Sequence, residues 1–182
     1  MPTRSRSARW LLLCLVFALA PVAACAAETG DAQRFFELGL GDLKAELAEA
    51  ARDGKQGLLL VFEQEGCPGC RHMRTRIFSR RDVQEFYRTH FATVALDIRG
   101  AVPVKDFQGR EQTEKDYAQS VKIRGTPTLV FHDTAGKEVV RMFGPIETPE
   151  EFLLLGRFVA SGAYRTRTFA QYKHENPTRR GS

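Results

Sequence analysis

The feature that most constrains the fold is an apolar run that ends just before two closely spaced cysteines. Residues 57–62, Gly-Leu-Leu-Leu-Val-Phe, have the pattern of a strand that is buried on both faces. Cys67-Pro-Gly-Cys70 follows four residues later and leads into a charged segment with helical spacing. The sequence therefore predicts two thiols at the point where a buried strand gives way to a helix.

This placement favours thiol–disulfide exchange. The first N–H groups of a helix have no intrahelical partner and carry partial positive charge, so they stabilise a thiolate. Cys67, at the start of the helix, is therefore the predicted attacking nucleophile. Cys70, one turn further along, is the predicted resolving thiol that attacks a mixed disulfide on Cys67. Pro68 fits the first turn, where no N–H is needed, and Gly69 is expected to leave the site open.

Three other interpretations fit the cysteine pair less well. A structural disulfide would close so short a loop that it would constrain little of the unfolded chain. A zinc site would need two further ligands, but the other cysteines lie near the N-terminus and the four histidines form no second pair. Haem attachment needs a histidine directly after the second cysteine, and Arg71 stands there instead. No metal and no cofactor beyond a redox-active Cys67–Cys70 disulfide are expected.

Composition gives no indication of a nucleic-acid partner. The chain has 182 residues, 43% of them hydrophobic and 27% charged, which suits one globular domain. The formal net charge is +5, but three arginines precede residue 10. The 24 basic and 22 acidic residues that remain are scattered and leave a charge of only +2.

The N-terminus has the pattern of a secretory signal peptide. The three arginines precede a short apolar segment at 10–20, which is too short for a comfortable membrane span. Ala24-Cys25-Ala26 fits a small-residue cleavage site, so residues 1–26 are the predicted leader and the protein is expected in the periplasm. Val22-Ala-Ala-Cys25 also resembles a lipoprotein processing box, and membrane association is expected only if Cys25 is lipidated.

Beyond the leader, the pattern predicts an α/β domain. A linker is expected over 27–34, the domain with a C-terminal extension over 35–175, and a disordered tail over 176–182. Strands alternate with helices and an antiparallel pair follows, which indicates a central mixed sheet flanked by helices on both faces. Helices are predicted at 43–53, 68–79, from about 80, 113–121 and 148–160, and strands at 58–63, 91–98, 129–132 and 138–143. In the first helix, Leu43, Leu47 and Ala51 are expected on the buried face.

On these motifs the chain resembles thioredoxin-fold proteins over about residues 35–161. The resemblance depends on Cys67-Pro-Gly-Cys70 after a buried strand, Gly125-Thr126-Pro127-Thr128 before another strand, and the final hairpin and helix. It implies a cis Pro127 beside the cysteine pair. It also implies that Thr126 offers its backbone to an extended substrate segment, so that Thr126 and Pro127 form a substrate platform.

The sequence departs from cytoplasmic thioredoxins at two positions that matter for proton transfer. Val61 stands where those proteins have a buried aspartate, and Ala95 stands where they have its lysine partner. The resemblance therefore implies another proton acceptor for Cys70. Glu63 and Glu65 are the candidate proton relay, and a solvated acidic loop is the alternative interpretation.

Two basic side chains follow the cysteine pair. Arg71 or His72 would stabilise a thiolate on Cys67 if either cation lay close to it. The alternative is that both residues belong to the exposed side of the helix.

A narrower similarity is to the periplasmic SoxW-like thioredoxins. It rests on the residues leading into the cysteine pair, the insert at 99–112 and the aromatic C-terminal segment at 158–172. It implies a reductase of protein disulfides that receives electrons from an inner-membrane thiol transporter. A thiol oxidase working in the DsbA-like direction, a non-catalytic adaptor with a structural disulfide and, more weakly, a metal-handling protein remain alternatives.

Overall fold

The computed structural model describes residues 32–36, 39 and 41–177. The predicted leader, Cys25 and residues 178–182 of the predicted tail lie outside these residues. Within them, no helix combines the length and the apolar character that crossing a membrane requires. In chain order the elements are α1 (Leu43–Arg52), β1 (Gly57–Glu63), α2 (Pro68–His72), a π-helical turn (Met73–Phe78), α3 (Arg81–His90), β2 (Ala92–Asp97), β3 (Pro103–Lys105), β4 (Glu111–Thr113), α4 (Glu114–Ser120), β5 (Thr128–Asp133), β6 (Glu138–Phe143), α5 (Pro149–Ala160), a 3₁₀ turn (Ala163–Arg165) and α6 (Phe169–Glu175).

The main sheet is mixed, as the sequence predicts. Its strand order is β2-β1-β5-β6, with β1 parallel to β2 and antiparallel to β5, and with β5 antiparallel to β6. Strands β3 and β4 form a separate small hairpin that covers most of the insert at 99–112 and ends at Thr113. The predicted α/β architecture with a central mixed sheet is therefore confirmed.

Strand β1 is buried on both faces because helices cover both sides of the sheet. Leu59 and Val61 point into one apolar cluster with side chains from the π-helical turn, α3 and α5. Leu58, Leu60 and Phe62 point into a second cluster with α1 and α4. Side chains alternate between the faces of a strand, so an unbroken apolar run is what this central position requires.

Two details of the helices differ from the sequence-based expectation. In α1 the buried residues are Leu43, Leu47 and Ala50, so the expectation of Ala51 on this face was wrong by one position. The predicted helix over 68–79 is α-helical only over Pro68–His72 and continues as a π-helical turn. Met73 and Ile77 nevertheless face the core as expected, because both are fully buried.

The described core extends into the segment before α1. Ala32, within the predicted linker, is buried, and so is Phe35. The Phe35 ring stacks on Phe78 with centroids 4.3 Å apart, and the Phe35 carbonyl accepts a hydrogen bond from the buried Thr93 hydroxyl. These contacts attach residues 32–36 to the edge of β2 and to the helices on that face.

Candidate active site

The two cysteines form a disulfide at the beginning of α2. Cys67 is the N-cap residue of this helix, with extended backbone, and the Cα atoms of Cys67 and Cys70 are 5.3 Å apart. The Cys70 N–H donates to the Cys67 sulfur at 3.0 Å, so a first-turn N–H is satisfied by that sulfur. Cys67 and Cys70 are 8% and 5% exposed, respectively, so both residues are buried and Cys67 is slightly the more exposed.

The loop before β5 packs directly against this disulfide. The Thr126–Pro127 peptide bond is cis, as the resemblance implies. The Cys67 Sγ lies 3.5 Å from the Thr126 carbonyl oxygen, although the two residues are 59 positions apart in the chain. The structure therefore brings Cys67, Cys70 and the predicted substrate platform together at one edge of the sheet.

Gly69 permits close packing at the site, whereas the sequence analysis expected it only to leave the site open. A Cβ atom at this position would lie 3.0 Å from Pro127 Cδ and 3.4 Å from Pro145 Cγ. The missing side chain therefore lets the cis-proline loop and the loop after β6 approach α2, in addition to reducing bulk at the site. Pro145 was not among the predicted site residues, because only the folded hairpin brings it there.

The two positions that depart from cytoplasmic thioredoxins are neighbours. Val61 and Ala95 are register partners in the parallel β1–β2 pair. Val61 is 1% exposed and belongs to the apolar cluster beneath α2. The sheet at this point therefore offers no ionisable side chain, and a proton acceptor for Cys70 must come from elsewhere.

A surface cleft of about 340 Å³ opens beside the cysteines. We call it the active-site cleft; its lining comprises Glu63, Gln64, Glu65, Gly66, Cys67, Cys70, Arg71, Arg74, Thr75 and Asp97. Both candidate relay carboxylates are thus present at its wall. Their surroundings differ. Glu65 is exposed. The Glu63 side chain is only 15% exposed and forms a bidentate ion pair with Arg74.

Arg74 connects the active-site cleft to the N-terminal segment. Besides its ion pair with Glu63, its guanidinium donates to Gln33 Oε1 at 3.3 Å and lies 5.0 Å from the centre of the Phe36 ring. Sequence reasoning missed Arg74, although its position on the outgoing helix, in phase with Arg71, was a usable signal. Because Glu63 is paired, a proton accepted there would weaken the contact with Arg74.

The two basic residues after Cys70 have different environments. Arg71 is exposed at the cleft wall. The Nε2 atom of His72 instead lies 3.2 Å from the carbonyl oxygens of both Ile146 and Glu147, so its ring is directed at the loop after β6. The Ile146 N–H donates to the Met73 sulfur at 3.2 Å. These contacts join α2 to the loop that carries Pro145. His72 therefore helps to position α2 against this loop.

A further carboxyl lies near the acidic side of the cleft. The pKa of Glu114 is raised above its ordinary value, mainly because the side chain is partly buried. The nearby charges of Asp97 and Glu63 also raise this pKa, and a hydrogen bond with the Asp97 backbone opposes the change. Sequence reasoning treated this residue only as part of a helix start. Its proximity to Asp97 depends on the turn at 98–100, which no local pattern predicts.

Comparison with known proteins places the whole arrangement in one family. Residues 43–160 match the family described as a thioredoxin-like domain. The disulfide bond reductase DsbH of Chlamydia pneumoniae is 30% identical over 101 residues, which are 54% of this chain and 58% of that protein. The chain thus spans little more than half the length of this relative.

Solved structures show the same fold. A thioredoxin-fold protein from Helicobacter pylori superposes with a TM-score of 0.65 at 18% identity, covering 82% of this chain and 96% of its own. A thioredoxin from Thermus thermophilus gives a TM-score of 0.51 at 27% identity, covering 72% and 91%, respectively. The matched family region spans more than half of the chain and includes both cysteines and Pro127, and the chain therefore belongs to the thioredoxin-like domain family.

Proposed function

We propose that this protein is a thiol:disulfide oxidoreductase that reduces disulfides of other proteins. The observation that carries the proposal is the position of the Cys67–Cys70 pair, with Cys67 at the helix start and its sulfur 3.5 Å from the Thr126 carbonyl of the cis-proline loop. The helix start stabilises a thiolate, and the loop supplies backbone beside it. A disulfide bond reductase among the relatives supports this assignment.

In the reductive direction the reaction has two exchange steps. The Cys67 thiolate attacks one sulfur of the client disulfide, forming a mixed disulfide and releasing the other client sulfur as a thiolate that takes up a proton. Cys70 then loses its proton and attacks Cys67 Sγ, which releases the second client thiol. The client gains two electrons and two protons, and the protein is left with the Cys67–Cys70 disulfide.

The remaining site residues have supporting roles in this proposal. Thr126 and Pro127 form the substrate platform, where an extended client segment pairs with the Thr126 backbone. Glu63 and Glu65 are the candidate acceptors for the Cys70 proton, with Glu63 the better held of the two because of Arg74. No cofactor beyond the disulfide enters the reaction.

A dithiol donor must reduce the Cys67–Cys70 disulfide after each turnover. We place the protein in the periplasm because of its signal-like N-terminus, and an inner-membrane thiol transporter is the proposed donor, as the SoxW-like resemblance implies. Lipidation of Cys25 would add a membrane anchor to the same domain.

The first test is a trap for the mixed disulfide. Cys70→Ser removes the resolving thiol, so the reduced variant should accumulate a covalent adduct with a disulfide-bonded model protein. Non-reducing electrophoresis detects the adduct, and dithiothreitol should release it; Cys67→Ser should form none. The proposal fails if Cys70→Ser forms no adduct although its Cys67 still reacts with a small alkylating reagent.

The second test fixes the direction of electron flow. Equilibration of the cysteine pair with glutathione gives its reduction potential. We expect a value near the thioredoxin end of the range, roughly −270 mV, for a reductase. A value near that of DsbA, roughly −120 mV, would instead support the oxidase alternative.

A further inference from the structure

A second groove lies next to the cis-proline loop, and it shares no lining residue with the active-site cleft. Its volume is about 320 Å³, and its lining comprises Lys122, Ile123, Arg124, Thr128, Arg141 and Phe143. We call it the basic groove. It borders the substrate platform, because Arg124 and Thr128 flank that loop in the chain and a Cβ on Gly125 would lie only 2.8 Å from the Phe143 ring. Gly125 directly precedes Thr126, whose carbonyl lies 3.5 Å from the Cys67 sulfur.

Two of the side chains that line the basic groove are apolar. Phe143 is 74% exposed at the end of the edge strand β6, where its register partner is Thr128. Ile123 contributes a second, half-buried apolar side chain. An aromatic side chain this exposed beside the cis-proline loop is available to an apolar side chain of another molecule.

The polar lining of the groove is cationic. Arg141 is held in place by an ion pair with Glu138 and a hydrogen bond to the Val121 carbonyl. Lys122 and Arg124 are exposed, and neither forms an ion pair with any residue that the structure describes. The lining contains no carboxylate, in contrast to the active-site cleft with Glu63, Glu65 and Asp97.

Lys122 occupies a backbone position that favours glycine. Its φ of 60° is in the left-handed region, and it is the residue just beyond the C-cap of α4. Hydrogen bonds from Lys122 N to the Gln119 carbonyl and from Ile123 N to the Ala118 carbonyl form the motif in which this position is usually glycine. Lys122 therefore adds a positive charge to the groove although a glycine at this position would stabilise the backbone more.

We propose that the basic groove binds the part of a client protein that flanks its reacting cysteine, and that it selects clients with acidic and apolar residues there. This inference rests on the proposed function. Arg124 lies two residues before Thr126, whose carbonyl is 3.5 Å from the Cys67 sulfur, and an extended segment advances about 3.3 Å per residue, so client positions about two to four residues from the reacting cysteine are expected beside the groove. Acidic side chains at these positions complement Lys122 and Arg124, and an apolar side chain packs on Phe143.

The test compares two synthetic peptides that differ only in charge. Each carries one cysteine, linked by a disulfide to a chromophoric thiol, with aspartates in one peptide and lysines in the other at two to four residues on both sides. Attack by reduced Cys67 transfers the peptide sulfur to the protein and releases the chromophore. The measured quantity is the ratio of the rate for the acidic peptide to that for the basic peptide, for wild type and variants at low and high salt.

We expect the wild type to favour the acidic peptide at low salt, and less so at high salt. Exchanging both unpaired cations, in K122E/R124E, should lower the ratio by about tenfold or more. Lys122→Gly should lower it in part while raising the melting temperature, since it relieves the positive φ. Lys122→Glu alone should lower the ratio in part, and its matched control is Lys137→Glu, the same single charge reversal on an exposed residue at the opposite end of the β5–β6 hairpin, which should leave the ratio unchanged.

Three outcomes overturn the inference. One is an equal ratio for all proteins, and another is an equal fall of the ratio in Lys137→Glu. The third is a wild-type dimer in sedimentation that Phe143→Ser dissociates, which would assign the groove to a second copy of the chain. Failure of the proposed function looks different, because then Cys70→Ser forms no adduct with a disulfide-bonded model protein, whatever the ratio of the two peptide rates.

Discussion

At the residue scale, the site combines an exposed acidic side with two recessed sulfurs. Val61 and Ala95 make the sheet below Cys70 apolar, so proton transfer depends on the cleft wall. There Arg74 contacts both oxygens of Glu63 and so fixes the position of this carboxylate. Glu63 lines the same cleft as Cys70, and we propose it as the acceptor of the Cys70 proton in the second exchange step, at the expense of its ion pair with Arg74.

Replacement of this carboxylate tests the relay. Glu63→Gln should slow the attack of Cys70 on a mixed disulfide by about tenfold or more and leave the initial capture by Cys67 unaffected, because only the second step needs the proton acceptor. Rapid-quench measurement of the adduct's formation and decay, repeated over a pH series, separates the two steps.

Arg74→Gln is the matched control, because it removes the ion pair but keeps the carboxylate. The relay is refuted if Glu63→Gln resolves the adduct at the wild-type rate at every pH. Equal slowing in both variants would identify a structural role for the ion pair instead.

At the element scale, periodicity predicted every strand of the main sheet, because β1 and its neighbours have apolar patterns that only a covered sheet accommodates. The predicted buried face of α1 was wrong by one residue, because the adjacent alanines Ala50 and Ala51 cannot be distinguished in a hydrophobic pattern. The π-helical turn at Met73–Phe78 was not predictable, because nothing in its composition separates it from an α-helix. Contacts between distant elements, such as Pro145 on Gly69, form only on folding.

Helix α5 provides the prediction at this scale, because it approaches α3 most closely at Gly156. A Cβ there would overlap the Phe86 ring and lie 3.1 Å from the Tyr87 hydroxyl. Tyr87 cannot give way easily, since it is fully buried, stacks on Phe152 at 4.2 Å and donates to the Phe152 carbonyl.

We therefore expect Gly156→Val to lower the free energy of unfolding by about 1–3 kcal/mol, measured by urea denaturation. Ala48→Val, at an exposed position of α1, is the control for the helix preference of valine and should cost about 0.5 kcal/mol. A loss in Gly156→Val no larger than in this control would contradict the close packing of the two helices.

At the scale of the whole molecule, one buried histidine makes stability depend on pH. His132 in β5 is 7% exposed, its ring lies 4.6 Å from Phe107, and its Nδ1 has no hydrogen-bond partner among the described residues. Burial lowers the pKa of His132 to about 4 and outweighs the nearby charges, of which Glu138 and Asp133 raise the pKa and Arg141 lowers it.

A histidine whose pKa is lower in the folded state takes up its proton first in the unfolded chain. Its effect is absent above about pH 6.5, grows as the pH falls, and levels off below the folded pKa of about 4. Wild type should therefore lose roughly 3 kcal/mol relative to His132→Leu between pH 7 and pH 4. Urea unfolding at a series of pH values measures this difference, with His174→Gln as an exposed control; parallel curves for wild type and His132→Leu would refute it.

The recessed position of the sulfurs has a consequence for a population of these molecules. With Cys67 and Cys70 less than a tenth exposed, two copies that collide present little sulfur surface to each other. Electron self-exchange between reduced and oxidised copies should therefore be slow compared with reaction at a partner shaped to fit the loop at Thr126. Each molecule would then keep the oxidation state that its last reaction with such a partner produced, because exchange with other copies would be too slow to equalise them.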